Sequence, residues 1–289
     1  MKFYLYTLIA LFAVALVLGC TGLGGGAQNQ TTTGPVTVTP TQLVGGGTAT
    51  VQYTLTNNYE NDMSNVKISV LGVPSGYTVS SSGMITTSKI VANQQYPAIF
   101  TIKAPSVSIK QTLTPKIQVC YDYTTNYYFD SALKTSALAG ETVTTESAAS
   151  TGPISVTQLG LDNLFVTQKD EEHTGSLQIT NTGGGKIIQF NSIKMNKPVG
   201  TTNVASIGLS YSDCGSSTTT ELKPSSCSLL SNTLAVANGL TVTATVTTST
   251  DPAKLTAVAT ERTEGSVSTN YCTDIPIGTI TVCPAGKAC

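Results

Sequence analysis

The 289-residue chain carries 15 Lys and Arg against 16 Asp and Glu, a net charge of −1, and only 11% of its residues are charged, under half of the roughly 25% usual in soluble proteins. Phosphate recognition needs a concentrated basic surface, so nucleic acid is excluded as a partner. Its length suggests about two domains at roughly 150 residues each, and one Arg (Arg262), one His (His173), no Trp and abundant Thr, Ser, Gly and Val describe a β-rich surface protein.

Residues 1–19, MKFYLYTLIALFAVALVLG, set one positive charge at Lys2 before an uncharged, mostly apolar run ending at a small residue. This is the grammar of a secretory leader, to be excluded from fold reasoning. The uncharged run from Phe3 to Gly19 is 17 residues, at the short end of the roughly 17–25 that span a bilayer. Lipid anchoring, plain secretion and an uncleaved anchor all place the rest of the chain outside the cytoplasm. The string Val17-Leu18-Gly19-Cys20 resembles the lipobox of lipoproteins, although Leu18 stands where a small residue is usual. The resemblance implies cleavage before Cys20, a diacylated cysteine, and the membrane as a partner. Residues 20–33 are Gly- and Thr-rich without periodicity, as in a flexible tether, and contain one N-glycosylation acceptor, Asn29-Gln30-Thr31. A lipobox-like Cys followed by such a tether is similar to the surface lipoproteins of archaea and bacteria, the CTGLGGG form more to archaeal ones.

Two copies of one β-domain are expected next, 34–150 and 151–289. Thr33-Gly34-Pro35-Val36-Thr37-Val38-Thr39 is matched by Thr151-Gly152-Pro153-Ile154-Ser155-Val156-Thr157, and Tyr53-Thr54-Leu55-Thr56-Asn57 by Leu177-Gln178-Ile179-Thr180-Asn181. A third marker matches Asn126-Tyr127-Tyr128-Phe129-Asp130 with Asn270-Tyr271-Cys272-Thr273-Asp274. Three matches in one order imply a tandem duplication. The second copy is longer between the last two markers, 89 residues against 69, and Cys214 to Cys227 lies in that excess.

Within each copy the strand signals are short and alternating: 49–55, 66–70, 98–102 and 117–123 in the first, 177–179, 240–246 and 255–258 in the second. After residue 20 no stretch sustains a helical period for ten residues. The strings LTNNYENDMSNVKISVLGVPSGY and YPAIFTIKAP resemble the immunoglobulin-like domains of archaeal and bacterial surface proteins, of the cell-adhesion-related and S-layer-associated kind. The resemblance implies an all-β chain of two tandem immunoglobulin-like antiparallel sandwiches.

Without Cys20, six cysteines remain, and an exported location makes disulfides the default. Proximity suggests Cys214 with Cys227 and Cys283 with Cys289, leaving Cys120 and Cys272 for a bridge between the copies. Strand parity puts Ile117, Val119, Tyr121, Tyr123 and Tyr127 on the core face and Cys120 and Cys272 outward. A zinc site is disfavoured, because the chain has no Cys-x2-Cys pair and no second His.

Catalytic chemistry is sparse. His173 in Lys169-Asp170-Glu171-Glu172-His173 has no Gly-x-Ser-x-Gly elbow to accompany it, and the run reads as a solvated loop rather than a cation site. Asp122 and Asp130, outward by parity on one expected hairpin, are the nearest thing to a glycosidase carboxylate pair. No catalytic residue, cofactor or metal is therefore assigned. Recognition rests on tyrosines: Tyr59 and Tyr77 in expected loops and Tyr128 outward on its strand. The expected function is a non-catalytic, lipid-anchored surface protein for adhesion, envelope scaffolding or binding of a protein or glycan partner. The alternatives are an accessory subunit of an exported uptake, secretion or filament complex and, less favoured, a surface hydrolase.

Overall fold

The computed structural model describes residues 33–214, 219–287 and 289. The leader, Cys20 and Asn29 lie outside the described residues. Along the first half run β1 (Thr33–Thr39), β2 (Gln42–Val44), β3 (Thr48–Thr56), β4 (Met63–Leu71), β5 (Thr78–Val79), β6 (Met84–Ile90), β7 (Gln95–Lys103), β8 (Gln111–Leu113), β9 (Lys116–Lys134) and β10 (Ser147–Ala149). The second half contributes β11 (Ile154–Leu159), β12 (Asn163–Phe165), β13 (Glu172–Asn181), β14 (Lys186–Asn196), β15 (Val204–Ser210), β16 (Glu221–Leu222), a one-turn helix α1 (Thr233–Val236), β17 (Gly239–Thr248), β18 (Ala259–Pro276) and β19 (Ile280–Cys283). Residues 255–258, expected as a strand, are irregular and join no ladder. The chain is instead turned at Pro252–Lys254, where the Asp251 side chain accepts from the Ala253 N–H, and pairing starts at Ala259.

Alternation explains the sandwich. β3 buries Ala49, Val51, Tyr53 and Leu55 and turns Gln52 out, and β9 buries Ile117, Val119, Tyr121, Tyr123, Tyr127 and Phe129, so each strand lends one face to a core. The first half stacks sheet β1-β3-β7-β5 against β6-β4-β9, and the second stacks β11-β13-β17-β15 against β16-β14-β18. The strands correspond one to one in the same order. Both halves are all-β antiparallel sandwiches, and their buried residues form one connected cluster.

The two sandwiches share a sheet. β9, 19 residues long, pairs antiparallel with the whole 18-residue length of β18, so that one sheet reads β16-β14-β18-β9-β4-β6. Asp122 and Asp130 therefore lie on one continuous strand, and the expected hairpin between them is not formed.

Two asparagines, Asn57 buried and Asn181 half-buried, define the internal symmetry. Asn57, at the end of β3, donates from Nδ2 to the carbonyls of Asn61 and Ile90 at 3.0 Å each, accepts from the Tyr59 N–H at 3.1 Å, and the Asn61 N–H donates to Tyr123 Oη at 3.2 Å. Asn181, at the end of β13, donates to the carbonyls of Gly185 and Ala237 at 2.9 Å each, accepts from the Gly183 N–H at 3.1 Å, and the Gly185 N–H donates to Tyr271 Oη at 2.6 Å. The equivalent of Tyr271 is thus Tyr123, four residues before the Tyr127 of the third sequence marker. With that equivalence Asp122 matches Asn270, its direct partner across the ladder, and a pseudo-twofold axis passes between them.

Side chains weld the shared ladder on its outer face. Cys120 and Cys272 are opposite one another and disulfide-bonded; Cys214–Cys227 and Cys283–Cys289 are the other two bridges. At one end Lys116 and Gln118 both contact the Asp274 carboxylate. At the other, Arg262 grips Asp130 with two parallel hydrogen bonds, Nε to Oδ1 at 2.8 Å and Nη2 to Oδ2 at 3.0 Å, and also meets Glu146 at 3.4 Å. This fork geometry suits a carboxylate, and the Arg262 hydrogen bonds hold the Asp130 carboxyl below the usual carboxylate range. Asp130 is outward by parity, yet only 7% exposed.

The chain end closes the structure. β19, from the end of the second half, runs parallel to β2 and antiparallel to β8, both from the first half. Ile280 and Val282 are fully buried there, and the Gly45 N–H donates to the Cys283 carbonyl at 2.9 Å.

This architecture makes two outcomes measurable. Ile280→Ala removes fully buried apolar volume, and denaturant unfolding is expected to show a loss of about 2–5 kcal/mol; an unchanged midpoint would mean that β19 is not seated between β2 and β8. Arg262→Met is expected to lower the thermal midpoint at neutral pH. The Asp130 value is depressed in the folded state, so its contribution is present above the ordinary Asp range and lost as pH falls through the depressed value. The difference between wild type and R262M should accordingly shrink on acidification; a gap that widens in acid contradicts the pairing.

Candidate functional site

The same alternation that buries Tyr121 and Tyr123 sends the even-numbered residues of β9 and β18 to the opposite, outer face. Reading along the ladder, the outward pairs are Cys120 with Cys272, Asp122 with Asn270, Thr124 with Ser268, Asn126 with Ser266, Tyr128 with Glu264 and Asp130 with Arg262. Concavities formed by the described residues of this face include the following.

The first, about 490 Å³ over the pseudo-twofold axis, is lined by Asn65, Lys67, Asp122, Gln189, Asn191 and Asn270. A bulge between Ser64 and Lys67 puts Asn65 in the left-handed region, φ 51°, a conformation Asn tolerates better than most residues. Its amide then reaches Asp122 Oδ2 at 2.7 Å. Asn270 donates to Asp122 Oδ1 at 2.9 Å and Asn191 to the same oxygen at 3.4 Å, while Gln189 donates to Asn191 at 2.8 Å. Three amides thus engage the Asp122 carboxylate from within, while Lys67 has no hydrogen-bond partner among the described residues.

The second is a groove of about 620 Å³ built from both halves: Asn126 and Tyr128 of β9, Ala148 to Ser150 at β10, Asn196 at the end of β14, Glu264 to Ser266 of β18 and Glu60 from the loop after β3. A third hollow of about 390 Å³ continues it, sharing Asn196 and Glu264 and adding Lys197, Pro198, Val199 and Arg262. Gly265 shapes the floor: a Cβ there would stand 2.2 Å from the ring of Tyr127, whose Oη donates to the Lys194 carbonyl at 2.7 Å. Burial raises the Tyr127 phenol far above its ordinary value, so it remains a neutral donor. The Arg262 guanidinium sits 4.1 Å from the Tyr128 ring centroid, fixing that half-buried ring by a cation–π contact.

Part of this groove's polar lining is engaged by the protein itself. Glu60 accepts from the Thr151 N–H at 3.2 Å, and Ser150 Oγ accepts from the Asn126 N–H at 3.0 Å and the Asn61 amide at 2.9 Å. Among the described residues, however, the side chains of Asn126, Asn196, Glu264 and Ser266 have no hydrogen-bond partner. They are donors and acceptors open to a ligand.

Of the tyrosines singled out from sequence, only Tyr128 lines the groove. Tyr59, expected in an exposed loop, is 5% exposed and packs edge-on against Tyr123 at 5.1 Å between centroids, because the Asn57 turn folds it inward. Tyr77 is half-buried, and its Oη donates to Gln111 at 2.6 Å, placing it by β8 and outside the groove lining. His173 is opposite Val246 in the second pair of the β13–β17 ladder, where burial pushes its pKa down and leaves Nε2 without a partner; all six described cysteines are bridged, so none meets it. Glu171 accepts from the backbone N–H of Thr167 and Gln168, which hold it below the usual carboxylate range and close the loop on itself. No group of three or more metal-ligating side chains occurs among the described residues, and no described helix is long and apolar enough to cross a membrane. Parity could have identified Asn126, Ser266 and Glu264 as outward; nothing in the sequence shows that Asn196 joins them.

No protein-family model matches the chain, and no curated protein matches it in sequence. Among solved structures it is similar to the secreted serine protease VesC of Vibrio cholerae, at 10% identity over 86% of this chain and 51% of that one, TM-score 0.22; this chain thus spans about half the length of VesC. It is also similar to the MSCRAMM ACE of Enterococcus faecalis, at 10% identity over 89% and 96% of the two chains, TM-score 0.16, and to the collagen adhesin CNA of S. aureus, at 10% over 89% and 94%, TM-score 0.14. At these values the likenesses carry no argument, and the architecture stands on its own strand order and registers.

Proposed function

We propose that this chain is a non-catalytic extracellular binding protein, held at the membrane by a lipid on Cys20, that engages its partner through the outer face of the shared sheet in adhesion or envelope scaffolding. The observation that carries this reading is the groove with unspent side-chain donors and acceptors at the seam of the two halves. Three disulfides fit an oxidising compartment. The carboxylate pair expected from the sequence is not a glycosidase dyad: Asp122 and Asp130 are eight residues apart on one strand, roughly 26 Å at about 3.3 Å per residue, against the roughly 5–9.5 Å that glycosidase pairs require.

Affinity capture from intact envelopes with the full mature chain tests the binding role. A partner retained by wild type and lost on charge reversal at the groove, Glu264→Lys, is the expected result; a partner indifferent to that change, or none at all, contradicts the reading. Mass spectrometry of the membrane-extracted protein should find Met1 absent and Cys20 acylated; Met1 retained or an unmodified Cys20 rules out the anchor.

A further inference from the structure

The groove's chemistry narrows what it can hold. Along its walls stand two amides, Asn126 and Asn196, one hydroxyl, Ser266, and one carboxylate, Glu264, none of them engaged by the protein. Each amide offers two donors and an acceptor, the hydroxyl offers both, and the carboxylate accepts only. A ligand that satisfies this set carries many groups that donate and accept in turn, which is the pattern of hydroxyls on a sugar.

Charge and apolarity exclude the main competitors. A polyanion would meet Glu60 and Glu264 in the groove, while Arg262 is already committed to Asp130 and Glu146, which leaves Lys197 of the adjoining hollow against two carboxylates. A protein hot spot needs a water-excluded centre, whereas the apolar side chains of the groove itself are the small Ala148 and Ala149 and a single half-buried ring, Tyr128, and those of the adjoining hollow, Pro198 and Val199, stand at the far end with Val199 fully exposed. That ring, pinned by Arg262, supplies one flat apolar surface among hydroxyl-directed groups. The third hollow continues past Asn196 and Glu264, so the trough is elongated and accepts more than one ring in sequence.

We infer that this groove is a binding site for an uncharged carbohydrate chain, seated on Tyr128 and hydrogen-bonded by Asn126, Asn196, Glu264 and Ser266. The inference rests on the reading of the outer face as the binding face. Its contacts come from both halves, so neither half holds the site alone.

The test uses the full mature chain against immobilised dextran, mannan and β-glucan and a microarray of neutral oligosaccharides, with titration calorimetry on the tightest binder. Asn126→Ala/Asn196→Ala together, and Tyr128→Ala separately, should each weaken that binding tenfold or more, while Asn191→Ala, in the Asp122 network by the axis and outside the groove lining, changes it less than twofold. Thermal midpoints near wild type establish that the variants fold; Glu264→Gln provides a second, near-isosteric reading should Tyr128→Ala unfold. Binding that ignores these substitutions, or no binding to any neutral glycan, overturns the inference. If the chain binds no glycan yet captures an envelope protein in a Glu264-dependent manner, the carbohydrate assignment falls and the binding face stands. If it captures neither, both fall.

Discussion

An edge strand of eighteen or nineteen residues left open to water is a template for aggregation, and β9 and β18 remove that hazard by pairing with each other. Every other feature of the molecule is arranged around this ladder. Its inward face carries Tyr121, Tyr123, Phe129, Val267 and Tyr271, which fill both cores; its outward face carries the disulfide, the Arg262 fork and the groove. The segment linking the halves covers what remains of the β9 edge, through β10 antiparallel and β12 parallel to it. The return of β19 to β2 and β8 ties the halves a second time.

A repeated strand order combined with edge pairing shapes the outer face. A residue near the pseudo-twofold axis meets its own counterpart, so features there are paired and tend to satisfy one another, as Asp122 and Asn270 do. Away from the axis the halves need not match. Tyr128 and Arg262 lie towards one end of the ladder, where the surface is asymmetric and concave. Gly265 belongs to the same concavity: the ring of Tyr127 occupies the space its side chain would need.

Much of this was legible in the residues. Period-2 alternation located β3, β4, β7, β9, β13 and β17 and sorted the faces of β9 correctly, because burial on one side of a strand leaves a local signature. Asn57 and Asn181 were matched for the same reason, each ending a strand with an identical set of turn hydrogen bonds. The shared sheet was not legible, since no local pattern tells which edge meets which. Parity also says where a side chain points and nothing of what covers it: Asp130 points outward and is roofed by Arg262 and Glu146, while Tyr59, in a polar stretch, is drawn under by the Asn57 turn. The third sequence marker slipped by four residues because an Asn-Tyr pair recurs at 126–127, whereas the chemistry repeated at Tyr271 belongs to Tyr123.

The central claim is that the two sandwiches form one cooperative unit through β9 and β18. Hydrogen–deuterium exchange measured residue by residue tests it most directly. The account predicts that the ladder amides of 116–134 and 259–276 are the most protected in the chain and are released together as denaturant is raised. Release of one strand's amides well before those of the other, with one sandwich persisting after its neighbour has unfolded, would contradict it.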